Sequence, residues 1–184
     1  MEIISSDIPE VKLIKPTIFR DDRGYFFESF QDKKFKELVC NVDFVQDNES
    51  MSKANVIRGL HYQLNPYAQG KLVRVLKGAV VDVAVDIRRN SPTFLKWVAY
   101  ELTEDNKYQL WIPAGFAHAF ISLADNTVFC YKCTNYYNKE SERAIIWNDP
   151  DINITWDKFK KNDGELIISE KDKQAVTLKQ AEIF

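Results

Sequence analysis

The segment Val81-Asp-Val-Ala-Val-Asp-Ile-Arg88 alternates with period two, placing Val81, Val83, Val85 and Ile87 on one face of an extended chain. It has company. Lys71 to Lys77, Tyr108 to Ile112, Phe116 to Leu123 and Thr127 to Thr134 are equally rich in branched and aromatic residues. Turn residues separate them at Asn65-Pro66, Lys77-Gly78, Asn90-Ser-Pro92, Pro113-Ala-Gly115 and Ala124-Asp-Asn126. Short strands at roughly ten-residue spacing imply an all-β sandwich or barrel. Helix is expected only at the margins. One short stretch is Asp32 to Val39, with Phe35, Leu38 and Val39 on its apolar side. A second follows the cap-like Ser169-Glu-Lys-Asp172, with Ala175, Val176 and Leu178 at helical spacing. No repeat or linker divides the chain; the best loop, Lys158 to Gly164, leaves too little behind it for another domain. A single domain over residues 1–184 is expected.

Charge and cysteine usage narrow the function. A net charge of -2 argues against a nucleic-acid binder, which carries a clustered basic excess. The N-terminus has acids and a proline where a signal peptide needs a basic region and an apolar core. The longest apolar run, Ala79 to Ile87, is broken by Asp82 and Asp86, so no membrane span is expected. Three cysteines without a secretory signal fit a reducing, cytoplasmic setting. Cys130-Tyr-Lys-Cys133 spells CxxC, but on a strand residues three apart face opposite ways, so these sulfurs diverge. Only two histidines are present, which cannot make a three-histidine metal site. A two-histidine, one-carboxylate site stays formally open.

Pro113-Ala-Gly-Phe-Ala-His118 forms a tight turn and then a strand carrying His118 beside Phe116 and Phe120. It resembles the second motif of the cupin superfamily, whose first motif supplies a His-x-His pair. Here that stretch reads Arg58-Gly-Leu-His-Tyr-Gln63, with Gln63 at the second histidine position. The resemblance therefore implies a cupin without the usual metal set. Further motifs occur in order: Arg20-Asp-Asp-Arg-Gly-Tyr-Phe-Phe-Glu28, Gln46-Asp-Asn48, Gly70-Lys-Leu-Val-Arg-Val75, Val83-Ala-Val-Asp-Ile-Arg88 and Ser91-Pro-Thr-Phe94. Tyr131-Lys-Cys-Thr134, Trp147-Asn-Asp-Pro150 and Ser169-Glu-Lys-Asp172 follow. Together, from Ile14 to Asp172, they resemble the dTDP-4-dehydrorhamnose 3,5-epimerase family.

The resemblance implies a cupin double-stranded β-helix (a jelly-roll barrel) with short peripheral helices, one near the C-terminus. It implies a metal-free, cofactor-free isomerase that acts on a nucleotide-diphosphate sugar and works as a homodimer. In such a reaction a C4 ketone acidifies the hydrogens at C3 and C5. His61 matches the family's base and Asp172 its partner carboxylate. Lys71 matches the cation near the enolate oxygen, and Tyr131 the acid. Arg23, Glu28, Gln46, Asn48, Arg58, His118, Glu142 and Lys171 match substrate-contacting positions. Phe19, Phe26 and Tyr137 are candidate stacking surfaces for the base. Each has an ordinary alternative: Asp172 also sits where a helix cap places an acid, the arginines could be surface ion pairs, and the aromatics could be core. Relatives that epimerise one carbon, use GDP-linked or heptose ketosugars, or isomerise ketones share the same groups. A non-catalytic sugar-nucleotide-binding cupin is the other class of reading.

Three expectations test this. In an unbroken strand Arg58 and His61 face opposite sides; serving one cavity requires a bulge at Gly59 or a side chain reaching a partner subunit. Leu95 stands where the family has glycine after Ser91-Pro-Thr-Phe94. Ala119 replaces the common glycine after His118 and is expected to narrow the pocket there.

Overall fold

The computed structural model describes all 184 residues. Its strands are β1 (Glu2–Ser5), β2 (Lys12–Lys15), β3 (Phe19–Asp21), β4 (Gly24–Phe26), β5 (Gln46–Ser52), β6 (Val56–Gln63) and β7 (Lys71–Lys77). They continue as β8 (Ala79–Asp86), β9 (Trp97–Thr103), β10 (Gln109–Ile112), β11 (Phe116–Ser122), β12 (Thr127–Cys133), β13 (Glu142–Ala144) and β14 (Ile167–Ile168). Two short α-helices, α1 (Asp32–Leu38) and α2 (Glu170–Lys173), and two 3-10 turns complete the chain. One sheet runs β1-β2-β10-β7-β12-β5; the other runs β13-β6-β11-β8-β9, with β14 lying parallel beside β6. The β3–β4 hairpin stands apart. The two open sheets face each other as the sandwich the strand spacing predicts, in the jelly-roll form the family resemblance implies. No helix is long and apolar enough to cross a membrane.

The period-two pattern of β8 explains the layering. Val81, Val83, Val85 and Ile87 turn away from the first sheet and are sealed by Ile145, Ile152, Ile154, Trp156, Leu178 and Ala181 from the C-terminal segment. Val80 and Ala84 turn inward to Val73, Val75, Leu110, Ile112 and Phe129. Both faces of β8 are therefore buried, at roughly 1.5–3 kcal/mol for each large aliphatic side chain covered. The same alternation puts Asp82 and Asp86 on the inward side. Asp86 ends the strand and gathers the Ser91-Pro-Thr-Phe94 motif around itself: Arg88 donates from its backbone N, Nε and Nη2, and the hydroxyls of Ser91 and Thr93 donate at 2.5 and 2.6 Å. Burial pushes this carboxyl up, but those donors outweigh it and hold it at about 2.

Several sequence expectations change. Helix α1 ends one residue short of its expected span and buries Phe35, with Val39 buried just beyond it, but Leu38 is exposed. The C-terminal helix stops at Lys173. Beyond it Val176 bridges to Ile145, and the N–H of Leu178 donates to Asp149 Oδ2 at 2.8 Å, so long-range contacts override the local helical spacing. Leu95 takes the left-handed backbone (φ 62°) that its expected glycine would adopt freely. Cys130 and Cys133 are free thiols, as the strand argument requires.

Candidate functional site

Residues 58 to 61 create the site. In the β6–β11 ladder His61 pairs with His118 and Arg58 with Phe120, so three steps on β6 span two on β11. The extra residue is a bulge at Gly59, which has φ 129°. A Cβ there would overlap Ala119, so glycine is required by both backbone and space. The bulge brings Arg58 and His61 to one cavity of about 560 Å³, within the usual range for small-molecule sites. Ala119 lies on the opposite side of β11, in the layer sealed by the C-terminal segment. It does not narrow the pocket; it closes the space above Gly59.

His61 and Asp172 meet in this cavity. His61 Nε2 lies 2.6 Å from Asp172 Oδ1, with the imidazole about one-third exposed and the carboxylate buried. The two readings of Asp172 coexist: its backbone N–H donates to Ser169 Oγ at 3.1 Å, capping α2, while its side chain turns to His61. Burial pushes the Asp172 carboxyl up, yet bonds from His61, Ser169 and the Gly59 N–H bring it below the ordinary carboxylate value. An ionised Asp172 accepts only, so Nε2 of His61 donates and Nδ1 is left as the basic nitrogen.

Lys71 and Tyr131 come from β7 and β12 on the facing sheet and line the same cavity. Lys71 Nζ sits 5.8 Å from the Tyr131 ring centroid. Burial pushes the lysine ammonium down, against the nearby Cys133, Asp82 and Glu142. Burial pushes the Tyr131 phenol up, keeping it protonated. His118, paired with His61 across the ladder, is 8% exposed at its side chain, and its Nε2 lies 2.9 Å from Asp82 Oδ2. Arg58 reaches over the rim, where Ser52 Oγ and the Met51 carbonyl accept from it at 3.1 Å.

A polar chain borders the opening. Glu142 Oε2 accepts from Lys171 Nζ at 2.7 Å and from the Tyr137 hydroxyl at 3.2 Å. The Tyr137 N–H donates to Gln46 Oε1 at 2.8 Å, and Gln46 Nε2 donates to Asn48 Oδ1 at 3.1 Å. Lys171 lines the cavity, and Tyr137, linked to Lys171 through Glu142, is exposed. Asn48 also lines a neighbouring groove with Tyr131, and Arg23, Glu28, Phe19 and Phe26 lie away from the cavity within this chain. Arg23 tips the β3–β4 hairpin, 90% exposed and paired only with Asp21. Glu28 lines a separate groove of about 300 Å³ with Phe19 and Phe26. Sequence reasoning missed Asp82. Its signal was a carboxylate in phase with the inward residues of an otherwise apolar strand.

Fold and site define a class: a cupin-type protein with an imidazole–carboxylate pair facing a phenol and an ammonium across a ligand-sized cavity. No three His, Cys, Asp or Glu side chains cluster as metal ligands. The family model described as dTDP-4-dehydrorhamnose 3,5-epimerase matches residues 5–180. The enzyme of that name from Shigella flexneri is 57% identical over 157 residues, 85% of this chain and 87% of its own length. Its Escherichia coli K12 counterpart is 51% identical over 97% of this chain and 95% of its own. The crystal structure of the Legionella pneumophila epimerase in complex with dTDP-4-keto-L-rhamnose superposes with a TM-score of 0.92 at 48% identity, covering 98% of this chain and 94% of that one. The chain belongs to the dTDP-4-dehydrorhamnose 3,5-epimerase family.

Proposed function

We propose that this chain converts dTDP-4-dehydro-6-deoxy-D-glucose to dTDP-4-dehydro-L-rhamnose by inverting C3 and C5, with His61 as base and Tyr131 as acid. The C4 ketone acidifies both neighbouring C–H bonds. His61 Nδ1 takes the proton, and Asp172 stabilises the imidazolium that forms. The electron pair moves onto the C4 oxygen, where the Lys71 ammonium stabilises the charge. Tyr131 returns a proton to carbon from the other side, and solvent resets both groups. Atoms balance without redox change.

One observation carries this reading. Base and acid stand on opposite walls of one cavity, His61 on β6 of the second sheet and Tyr131 on β12 of the first. Inversion at carbon needs a proton removed from one face and returned to the other. Arg58 and Lys171 suit the diphosphate, Tyr137 gives the base a stacking surface, and Gln46, Asn48 and Glu142 order the rim. Incubating dTDP-4-keto-6-deoxyglucose with the protein in D₂O tests it. Deuterium at C3 and C5, lost in His61→Ala, is expected. Label at one carbon only would make it a single-site epimerase, and binding without label a non-catalytic module.

The protein works as a homodimer in which the β3–β4 hairpin carries Arg23, Phe26 and Glu28 to the neighbouring subunit's cavity. Phe19 and Phe26 are 63% and 70% exposed, a costly display for a monomer. Mixing inactive Arg23→Ala and His61→Ala subunits should restore activity, because hybrid dimers hold one intact site. No recovery would place Arg23 outside the partner's site.

A further inference from the structure

Asp82 has one hydrogen-bond partner. Its side chain is fully buried; Oδ2 lies 2.9 Å from His118 Nε2, and Oδ1 is buried with no partner at all. Two other buried carboxylates show what the fold provides when it means to keep a charge. Asp86 collects five donated hydrogen bonds, and Asp172 has His61, Ser169 and the Gly59 N–H. An ionised carboxylate offers about four lone-pair sites, and burying one with a single bond is expensive. A protonated acid in the same place satisfies its O–H and leaves only a carbonyl oxygen bare.

We propose that Asp82 is a neutral carboxylic acid that donates Oδ2–H to His118 Nε2, fixing His118 as the neutral imidazole with its proton on Nδ1. Asp82 is then a positioning residue. His118 Nδ1 has no partner in the chain, and the ring lines the cavity beside Lys71. A neutral N–H there, next to an ammonium, makes a two-donor site for the C4 oxygen as it gains negative charge, ready before the substrate arrives. The surroundings agree. Burial pushes the Asp82 carboxyl up and the His118 imidazole down, so neither tends toward its charged form. The groups facing them are Lys71 on β7 and His61 on β6. Lys71 favours an ionised Asp82, but no ion pair joins the two.

The role at the C4 oxygen rests on the epimerase reading; the tautomer does not. The chain has only two histidines, so a long-range ¹H–¹⁵N spectrum of the uniformly labelled protein contains two imidazoles, assigned by one His61→Asn sample. His118 is expected to carry its proton on Nδ1 and stay neutral from pH 6 to 8. A proton on Nε2, or an imidazolium, overturns the proposal. Kinetics supply the second arm. Asp82→Ala should lower kcat about 10- to 100-fold with little change in KM. Asp82→Asn should rescue most of that loss, because its amide N–H₂ donates to Nε2 as the acid does. Equal losses in both variants would mean an ionised Asp82 and sink the assignment. Should Asp82→Ala not fold, the wild-type spectrum still decides. An Nδ1–H tautomer in a protein that exchanges no deuterium would remove the epimerase reading alone.

Discussion

His61–Asp172 and His118–Asp82 are the same two side chains in hydrogen-bond contact, at 2.6 and 2.9 Å, with the two histidines on neighbouring strands in direct register. Their surroundings make them opposites. His61 is about one-third exposed, and its carboxylate is stabilised by three groups; His118 is buried, and its carboxylate has one. Donors hold Asp172 ionised beside an open imidazole, whereas burial biases both Asp82 and His118 toward their neutral forms. What separates them is how many donors reach the carboxylate and how much water reaches the ring. Composition alone would have made them equivalent.

Removing each imidazole is the most direct way to break that contrast. His61→Ala should lower the rate of deuterium incorporation at C3 and C5 by about 10³- to 10⁴-fold, near the upper end for a general base. His118→Ala should cost about 10- to 100-fold, since a donor is lost while the base remains. Equal losses would show that both histidines transfer protons. Melting temperatures should separate them in reverse order, because His118 is the more deeply buried.

The pairs share one structural support. Gly59 shapes the bulge that aims His61 inward, and its N–H bonds Asp172. Gly59→Ala puts a methyl into Ala119 on the strand that carries His118. A loss of about 3 kcal/mol in a denaturant titration is expected from the strained backbone and the clash together. The double variant Gly59→Ala, Ala119→Gly should recover little of it, because the added methyl would still meet the Ala119 Cα and the His118 carbonyl oxygen at 2.6 Å. A large recovery would locate the cost in the Ala119 side chain instead.

Asp86 gives the comparison a reference point: a buried carboxylate with every donor it needs. Its folded value of about 2 lies below the unfolded 3.8, so it contributes stability above pH 4 that is lost as pH falls toward 2. That amounts to about 2 kcal/mol. Asp86→Asn should flatten the acid limb of a stability–pH curve by about that much. A limb unchanged by the substitution would mean that other carboxylates govern acid unfolding.

Much of this was readable from residues. Period-two alternation gave β8 and its neighbours, and ordered motifs gave His61, Lys71, Tyr131 and Asp172. The requirement for a bulge followed from strand geometry once Arg58 and His61 were assigned to one cavity. What stayed hidden depended on contacts distant in sequence. The helix after Ser169 ends early because Ile145 and Asp149 claim the backbone beyond it. Ala119 was assigned to the wrong side of its strand, although alternation from the inward-facing His118 already placed it outward. Asp82 was visible only as an interruption, since its partner lies 36 positions away.

Leu95 tests whether tolerance falls off with distance from the two pairs. Its φ of 62° costs a leucine about 1–2 kcal/mol, yet the turn is held: its N–H donates to the Asp86 carbonyl at 2.8 Å, and the Asp86 N–H donates to the Lys96 carbonyl at 3.0 Å. The side chain recovers part of the strain by packing, partly buried, on the outer layer of the second sheet. Leu95→Gly removes strain and packing together, so the two should nearly cancel. A stability change within about 1 kcal/mol and an unaltered kcat are expected. A large loss of stability would mean that packing dominates here. A changed kcat would mean that the turn after β8 is felt at Asp82, thirteen residues back on a strand whose rigidity separates the two imidazole pairs.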